Sequence, residues 1–173
     1  VLVAGSCASV FMTSIVAAES WLGGIHLLEA TPEPLSKVRI SGGGRCNVTH
    51  GCWDPRSLVG HYPRGSKALR GPFARFATGD AVAWFADHGL ELVEEDDGRL
   101  FPRSNTSESV VATLRQAARR AGVQLHTATA LQQVQRDASA EGTTGAFHCR
   151  LRQDGSSRSL QCRQLVLATG AHP

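Results

Sequence analysis

The sequence contains no CxxC pair, no internal repeat and no low-complexity tract. Its five cysteines (Cys7, Cys46, Cys52, Cys149 and Cys162) are odd in number and irregular in spacing. That argues against a disulfide framework and fits reduced thiols in a cytoplasmic protein. Cys46, His50 and Cys52 lie close together, but structural zinc takes four ligands, usually as two close pairs, and no second pair follows. No metal site is expected. Charge is sparse too, with 19% charged residues and a net charge of +3. Arg115, Arg119 and Arg120 cluster on an expected helix beside small apolar residues and read as a solvated face. They form no long basic stripe with interleaved aromatics, so no nucleic-acid partner is expected. Residues 1–18 carry no charge at all. The run has no basic leader, ends at Glu19, and divides into a strand-like VLVAG and a helix-like remainder, so no membrane span is expected.

What is present is ordinary globular material. Hydrophobic residues make up 42% of 173 positions, enough for one domain with a core. VLVAG (1–5) reads as a buried parallel strand, residues 8–21 as a helix, and IHLLE (25–29) as a second strand. Strand, glycine turn, helix and strand make a βαβ unit. Residues 52–66 carry Pro55, Gly60, Pro63 and Gly65 and are expected to be irregular. Helices follow at 67–77 and at 81–88, the second with Asp80 as N-cap and Gly89 as stop. Residues 89–102 read as a hairpin turning at Asp97 and Gly98. Asn105 and Glu108 mark a helix start, and Gly122 its end. Strands are expected at 123–127, 131–136, 146–152 and 158–162, with a turn at Asp154 and Gly155. The last, QLVLAT (164–169), reads as buried.

Three features carry chemistry. A dinucleotide fold places GxGxxG after its first strand, so that backbone can approach a pyrophosphate and the helix can pack closely. Here Gly5 keeps the first position, while Cys7 and Val10 occupy the other two. Glu29 ends the second strand 24 residues after Gly5, where an acidic residue accepts hydrogen bonds from an adenosine ribose. Ser41-Gly42-Gly43-Gly44-Arg45-Cys46-Asn47 combines three glycines, which are costly to order, with a permanent cation and an amide. Exposed amides in such a loop suit phosphate or the polar edge of a flavin. Cys46 reads as a packed cysteine rather than a redox thiol, having no resolving partner. His50 and His61 lie in expected loops and are marked by nothing further.

KVRISGGGRCNVTH (37–50), preceded by a βαβ unit ending in LLE, resembles the aminoacetone oxidase-like (BaiN-like) family of FAD-dependent flavoproteins. GRLFPRSNTSESVVATL (98–114) and LVLATGAHP (165–173) resemble further segments of that family in the same order. The resemblance implies a Rossmann-like FAD/NAD(P)-binding α/β fold with a βαβ N-terminal unit and a small antiparallel sheet layer. It implies FAD as cofactor, NAD(P)H as a candidate reductant, and an unknown small-molecule substrate. It also implies that residues 1–173 are the N-terminal part of an FAD-binding domain, lacking an inserted domain and a C-terminal segment that completes the site. Carried over residue by residue, the cofactor contacts are Gly5, Ala8 and Ser9 in the first turn, Glu29 at the ribose, and Gly43, Gly44, Arg45, Cys46 and Asn47 near flavin or pyrophosphate. Val134 is a backbone contact on the adenine side, Thr169 and Gly170 close the site, and Lys37 is a further candidate. Cys7 and Val10 depart from the family's phosphate turn, which implies weakened FAD binding.

Three readings therefore stand. The first is the FAD-binding part of a flavin-dependent oxidoreductase, with no catalytic acid or base named. The second is a degenerate nucleotide-binding fold that has lost its cofactor. The third is a thiol hydrolase or transferase using Cys7 on the strand-to-helix elbow of GSCAS, which needs a histidine partner.

Overall fold

The computed structural model describes residues 1–20, 23–137 and 147–170. Along the chain run β1 (Leu2–Ala4), α1 (Ala8–Ser20), β2 (His26–Leu28), α2 (Ser36–Ile40), β3 (Thr49–His50), α3 (Pro55–Gly60), α4 (Ser66–Phe73) and α5 (Thr78–Asp87). They continue with β4 (Leu92–Glu94), β5 (Arg99–Pro102), α6 (Ser107–Arg120), β6 (Gln124–His126), β7 (Thr129–Arg136), β8 (Phe147–Gln153), β9 (Ser156–Cys162) and β10 (Leu165–Leu167). The chain divides into one unit from Val1–Lys37 with Leu114–Pro173 and another from Val38–Thr113. The fold is α/β, with a parallel sheet, helices and small antiparallel sheets.

In the first unit a parallel sheet runs in the order β10-β1-β2-β6. The βαβ unit β1–α1–β2 is its centre, with Leu2, Val3 and Ala4 in register with His26, Leu27 and Leu28. β1 is apolar at every position because it lies inside the sheet and both its faces are covered. Leu2 and Leu28 join Cys149, Leu151 and Cys162 in one buried cluster with the antiparallel sheet β7-β8-β9. Successive strand residues point to opposite faces, so Val3 and Leu27 lie on the other side. There α1 packs against β1 and β2, burying Val10, Phe11 and Ile15. Each such aliphatic or aromatic side chain contributes about 1.5–3 kcal/mol. β8 and β9 are joined through Asp154 and Gly155, both at positive φ, which matches the twist of a two-residue hairpin. The glycine turn before residue 147 and the helix end at Trp21 lie outside the described residues.

Strand β10 corrects one expectation. QLVLAT is not buried throughout, for Leu167 is 62% exposed and Val166 is exposed as well. Among the described residues β10 is the outermost strand of the parallel sheet and pairs only with β1. An apolar run alone does not distinguish a central strand from such an edge.

The second unit holds the antiparallel sheet β3-β5-β4, with the β4–β5 hairpin turning at Asp97 and Gly98 as expected. Residues 52–66, expected to be irregular, contain the short helix α3. Asp54 caps it, accepting from the Ser57 amide at 3.0 Å and the Ser57 hydroxyl at 2.9 Å, and Pro55 opens the first turn. Helix α5 starts at Thr78, earlier than expected, because Asp80 is not the N-cap. Its carboxylate reaches back to the Ala77 amide at 2.8 Å from inside the first turn. At the start of α6 the Thr106 hydroxyl accepts from the Glu108 amide, while Asn105, at φ +56, stands one residue before. Gly122 ends α6 as expected, with its amide on the Arg119 carbonyl and that of Val123 on Ala118. His50 lies on β3 and His61 closes α3, so neither sits in an irregular loop.

Candidate cofactor site

The carboxyl ends of β1, β2 and β10 meet the start of β7 at a cleft of about 400 Å³. All of its lining belongs to the first unit. Gly5 makes the turn out of β1. Its amide donates to the Leu28 carbonyl at 2.9 Å, and its φ is +121°. A Cβ there would lie 2.3 Å from the Ala168 carbonyl oxygen, so only glycine lets the ends of β1 and β10 come together. The chain then enters α1, where the Val10 and Phe11 amides both turn back to the Cys7 carbonyl, while the Ala8 and Ser9 amides precede the first carbonyl the helix supplies. The positive end of a 13-residue helix thus stands at the turn that lines the cleft.

Glu29 is half-buried at the end of β2. One oxygen accepts from the Ser6 hydroxyl; the other accepts from the Thr31 amide and hydroxyl, both at 2.6 Å. The carboxylate is therefore held by three donors, which leaves one of its about four lone-pair sites, on the oxygen facing Ser6, for a further hydroxyl. Thr169 and Gly170 line the cleft after β10, and the Lys37 ammonium stands 3.7 Å from where a Cβ on Gly170 would be. Gly5, Glu29, Lys37, Thr169 and Gly170 are thus brought together. Val134 is not at the cleft; its half-buried side chain packs on the Leu2, Leu28 and Cys149 cluster. Thr129, Ala130 and Leu131 line the cleft from β7 instead. Ser6, Thr31 and residues 129–131 went unread in the sequence, and only the placement of β7 against β2 could have exposed the last three.

Cys7 also lines the cleft, and its Sγ lies 2.9 Å from the Ser9 hydroxyl. No histidine lines this cleft among the described residues. Val10 is buried in the packed face of α1.

Gly43, Gly44, Arg45, Cys46 and Asn47 belong to the second unit. Gly42 and Gly43 take left-handed φ values of +55° and +67° inside the tight turn Ser41–Gly44. A Cβ on Gly42 would lie 2.8 Å from the Asn47 amide, whereas Gly43 has open space beside it. Arg45 is not a free cation. It pairs with both oxygens of Glu95, at 2.6 and 3.3 Å, donates to the Asn105 side chain at 3.2 Å, and lies 3.9 Å from the centre of the Phe101 ring. The guanidinium therefore ties the glycine turn to the β4–β5 hairpin. The Cys46 thiol is buried and pushed up from its ordinary pKa by desolvation, against a smaller opposing effect of the Ser41 hydrogen bond. A thiol shifted that way is a poor nucleophile.

A parallel sheet with a βαβ centre, a glycine turn running into a helix and an acidic residue ending the next strand defines a Rossmann-type α/β domain. The whole of residues 1–173 matches the family model described as HI0933-like protein Rossmann domain. The chain belongs to that family, as the resemblance implied. It is 30% identical over 124 residues to a 3-dehydro-bile acid delta(4,6)-reductase of Clostridium scindens, covering 71% of this chain and 29% of that protein. It is 26% identical over 146 residues to the ribosomal RNA dihydrouridine synthase of Escherichia coli, covering 84% of this chain and 33% of the other. The chain thus spans about a third of the length of these relatives. Among solved structures, 3-ketosteroid-delta4-(5alpha)-dehydrogenase from Rhodococcus jostii shares the fold with a TM-score of 0.71 at 16% identity, over 98% of this chain and 45% of that one. No helix among the described residues is long and apolar enough to cross a membrane.

Proposed function

We propose that this chain is the FAD-binding part of a flavin-dependent oxidoreductase. The observation that carries the reading is the convergence of the Gly5 turn, the anchored Glu29 carboxylate, and Thr169 with Gly170 on one cleft at the carboxyl ends of parallel strands, where such folds hold nucleotides. The residues fit the group. The Ala8 and Ser9 amides suit a pyrophosphate, Glu29 a ribose hydroxyl, and Lys37 a phosphate oxygen. Residues 43–47 are assigned to the flavin or pyrophosphate, with Arg45 acting by holding their turn. Val134, expected as the backbone contact on the adenine side, lies outside the cleft, and Thr129, Ala130 and Leu131 of the same strand stand in its place in this reading. Bound FAD supplies the hydride chemistry, and the protein positions it and tunes its charge. NADH or NADPH is the proposed reductant, a cytoplasmic setting suits five free thiols, and the substrate is a small molecule of unnamed class. The reductase, synthase and dehydrogenase names of the similar proteins support redox work. We assign substrate recognition to parts of the whole protein that residues 1–173 do not supply.

One observation favours a degenerate fold instead: Cys7 puts a side chain into the cleft where backbone alone would meet a pyrophosphate. A visible absorption spectrum after FAD loading and desalting separates the two. The expected result is a retained flavin band, weakened in Glu29→Gln and Arg45→Ala and strengthened in Cys7→Gly. A folded sample with no flavin band in either the wild type or Cys7→Gly would sink the proposal.

A further inference from the structure

The second unit contains a groove that the cofactor reading does not use. Helices α3 and α4 pack on each other and border an open groove of about 910 Å³. That is a size typical of small-molecule sites. Its apolar wall includes Val59, Tyr62 and Ala74, and Tyr62 is braced against the Phe73 ring at 5.4 Å between centroids. Two guanidiniums, Arg56 and Arg70, line the same space. Neither has an ion-pair partner among the described residues.

Charge is distributed unevenly around this groove. Residues 54–76 hold five cations (Arg56, Arg64, Lys67, Arg70 and Arg75) and one carboxylate, Asp54, against a net charge of +3 for the whole chain. Asp54 lines the groove too and keeps its negative charge, offsetting part of Arg56, while its carboxylate bonds to the Ser57 amide and hydroxyl. Those bonds hold it below the usual aspartate range, with Arg56 adding a smaller pull. A partly apolar groove lined by two guanidiniums against one carboxylate, with three more cations around it, is complementary to one kind of small molecule. We infer that the α3–α4 groove binds an amphipathic organic anion, its apolar body against Val59, Tyr62 and Ala74 and its carboxylate or phosphate head between Arg56 and Arg70. Arginine forks pair with such heads through two parallel hydrogen bonds. The other three cations raise the local potential and the rate of capture without touching the ligand.

The test is displacement of the fluorescent anion 8-anilinonaphthalene-1-sulfonate by decanoate and by decyl phosphate, with decanol as the neutral control. Both anions should displace the probe and decanol should not. The double variant Arg56→Ala/Arg70→Ala should weaken displacement about tenfold or more, the worth of a charge-assisted hydrogen bond. Lys67→Ala, on α4 but outside the lining, should change it less than about twofold. Circular dichroism of each variant establishes that it is folded. Equal displacement by decanol would overturn the assignment, leaving only an apolar recess. So would undiminished binding in the folded double variant. Displacement by phosphatidylglycerol vesicles or a single-stranded oligonucleotide, with none by the free anions, would replace it with a membrane or polyanion surface.

Discussion

Gly5 carries two demands at one atom. Its φ lies where side-chain-bearing residues are rarely found, and the Ala168 carbonyl occupies the place of a Cβ. Gly5→Ala should therefore destabilise the fold by more than about 1 kcal/mol, since strain in φ and a backbone clash add. It should also open the cleft, so urea titration should show a lowered midpoint and FAD retention should fall with it. An unchanged midpoint would mean that β10 shifts away at no cost. Arg45 illustrates the opposite case. Its type and place beside three glycines point to an anionic ligand, yet its partner Glu95 is fifty residues away in sequence and invisible to a local reading. Cys149 is similar: burial pushes its thiol up to about 11, with Cys162 beside it adding to the shift, and neither fact follows from spacing.

At the level of elements, β2 and β6 are joined by more than their ladder. The rings of His26 and His126 stack at 5.3 Å, with Nδ1 of the first 3.1 Å from Nε2 of the second. Burial lowers both pKa values; the neighbouring ring adds to the effect at His26, and Arg158 adds to it at His126. The folded state thus favours the neutral rings, and the unfolded chain binds more protons on acidification. Stability from this pair is full above the unfolded histidine pKa of about 6.5 and is lost as the pH falls through the lower folded values. Denaturant unfolding from pH 8 to pH 5 should show that decline, and His126→Gln should flatten it. The elements differ in how plainly the sequence announces them. β1, α1 and β2 are legible because an uncharged run is cut by Gly5 and ended by Glu19, and a second apolar run is closed by Glu29. α3 is not, because six residues among prolines and glycines show no period, although Asp54-Pro55 with Ser57 is a capping signal in plain view. The exposure of β10 is illegible for another reason: being at an edge is a property of the sheet and not of the strand.

For the molecule as a whole, the proposed cofactor residues legible in sequence fall into two groups by unit. Gly5, Glu29, Lys37, Thr169 and Gly170 share a cleft, while residues 43–47 form their own braced turn. FAD binding should therefore protect the first unit directly. At a hundred times its dissociation constant FAD should add about 2.7 kcal/mol to unfolding, seen as a concentration-dependent rise in melting temperature. No rise in a sample that retains flavin would mean that the unfolded chain holds it equally well. The pairing of β1 with β10 has a consequence for birth on the ribosome. The second unit is one continuous stretch and can emerge and fold whole, but β1 must wait for residues 165–167 before its outer neighbour exists. At about 5–20 residues per second that delay is on the order of ten seconds. Throughout it the fully buried strand β1 lacks its outer partner, a window in which a nascent-chain chaperone has something to hold and flavin does not yet have a complete cleft to enter.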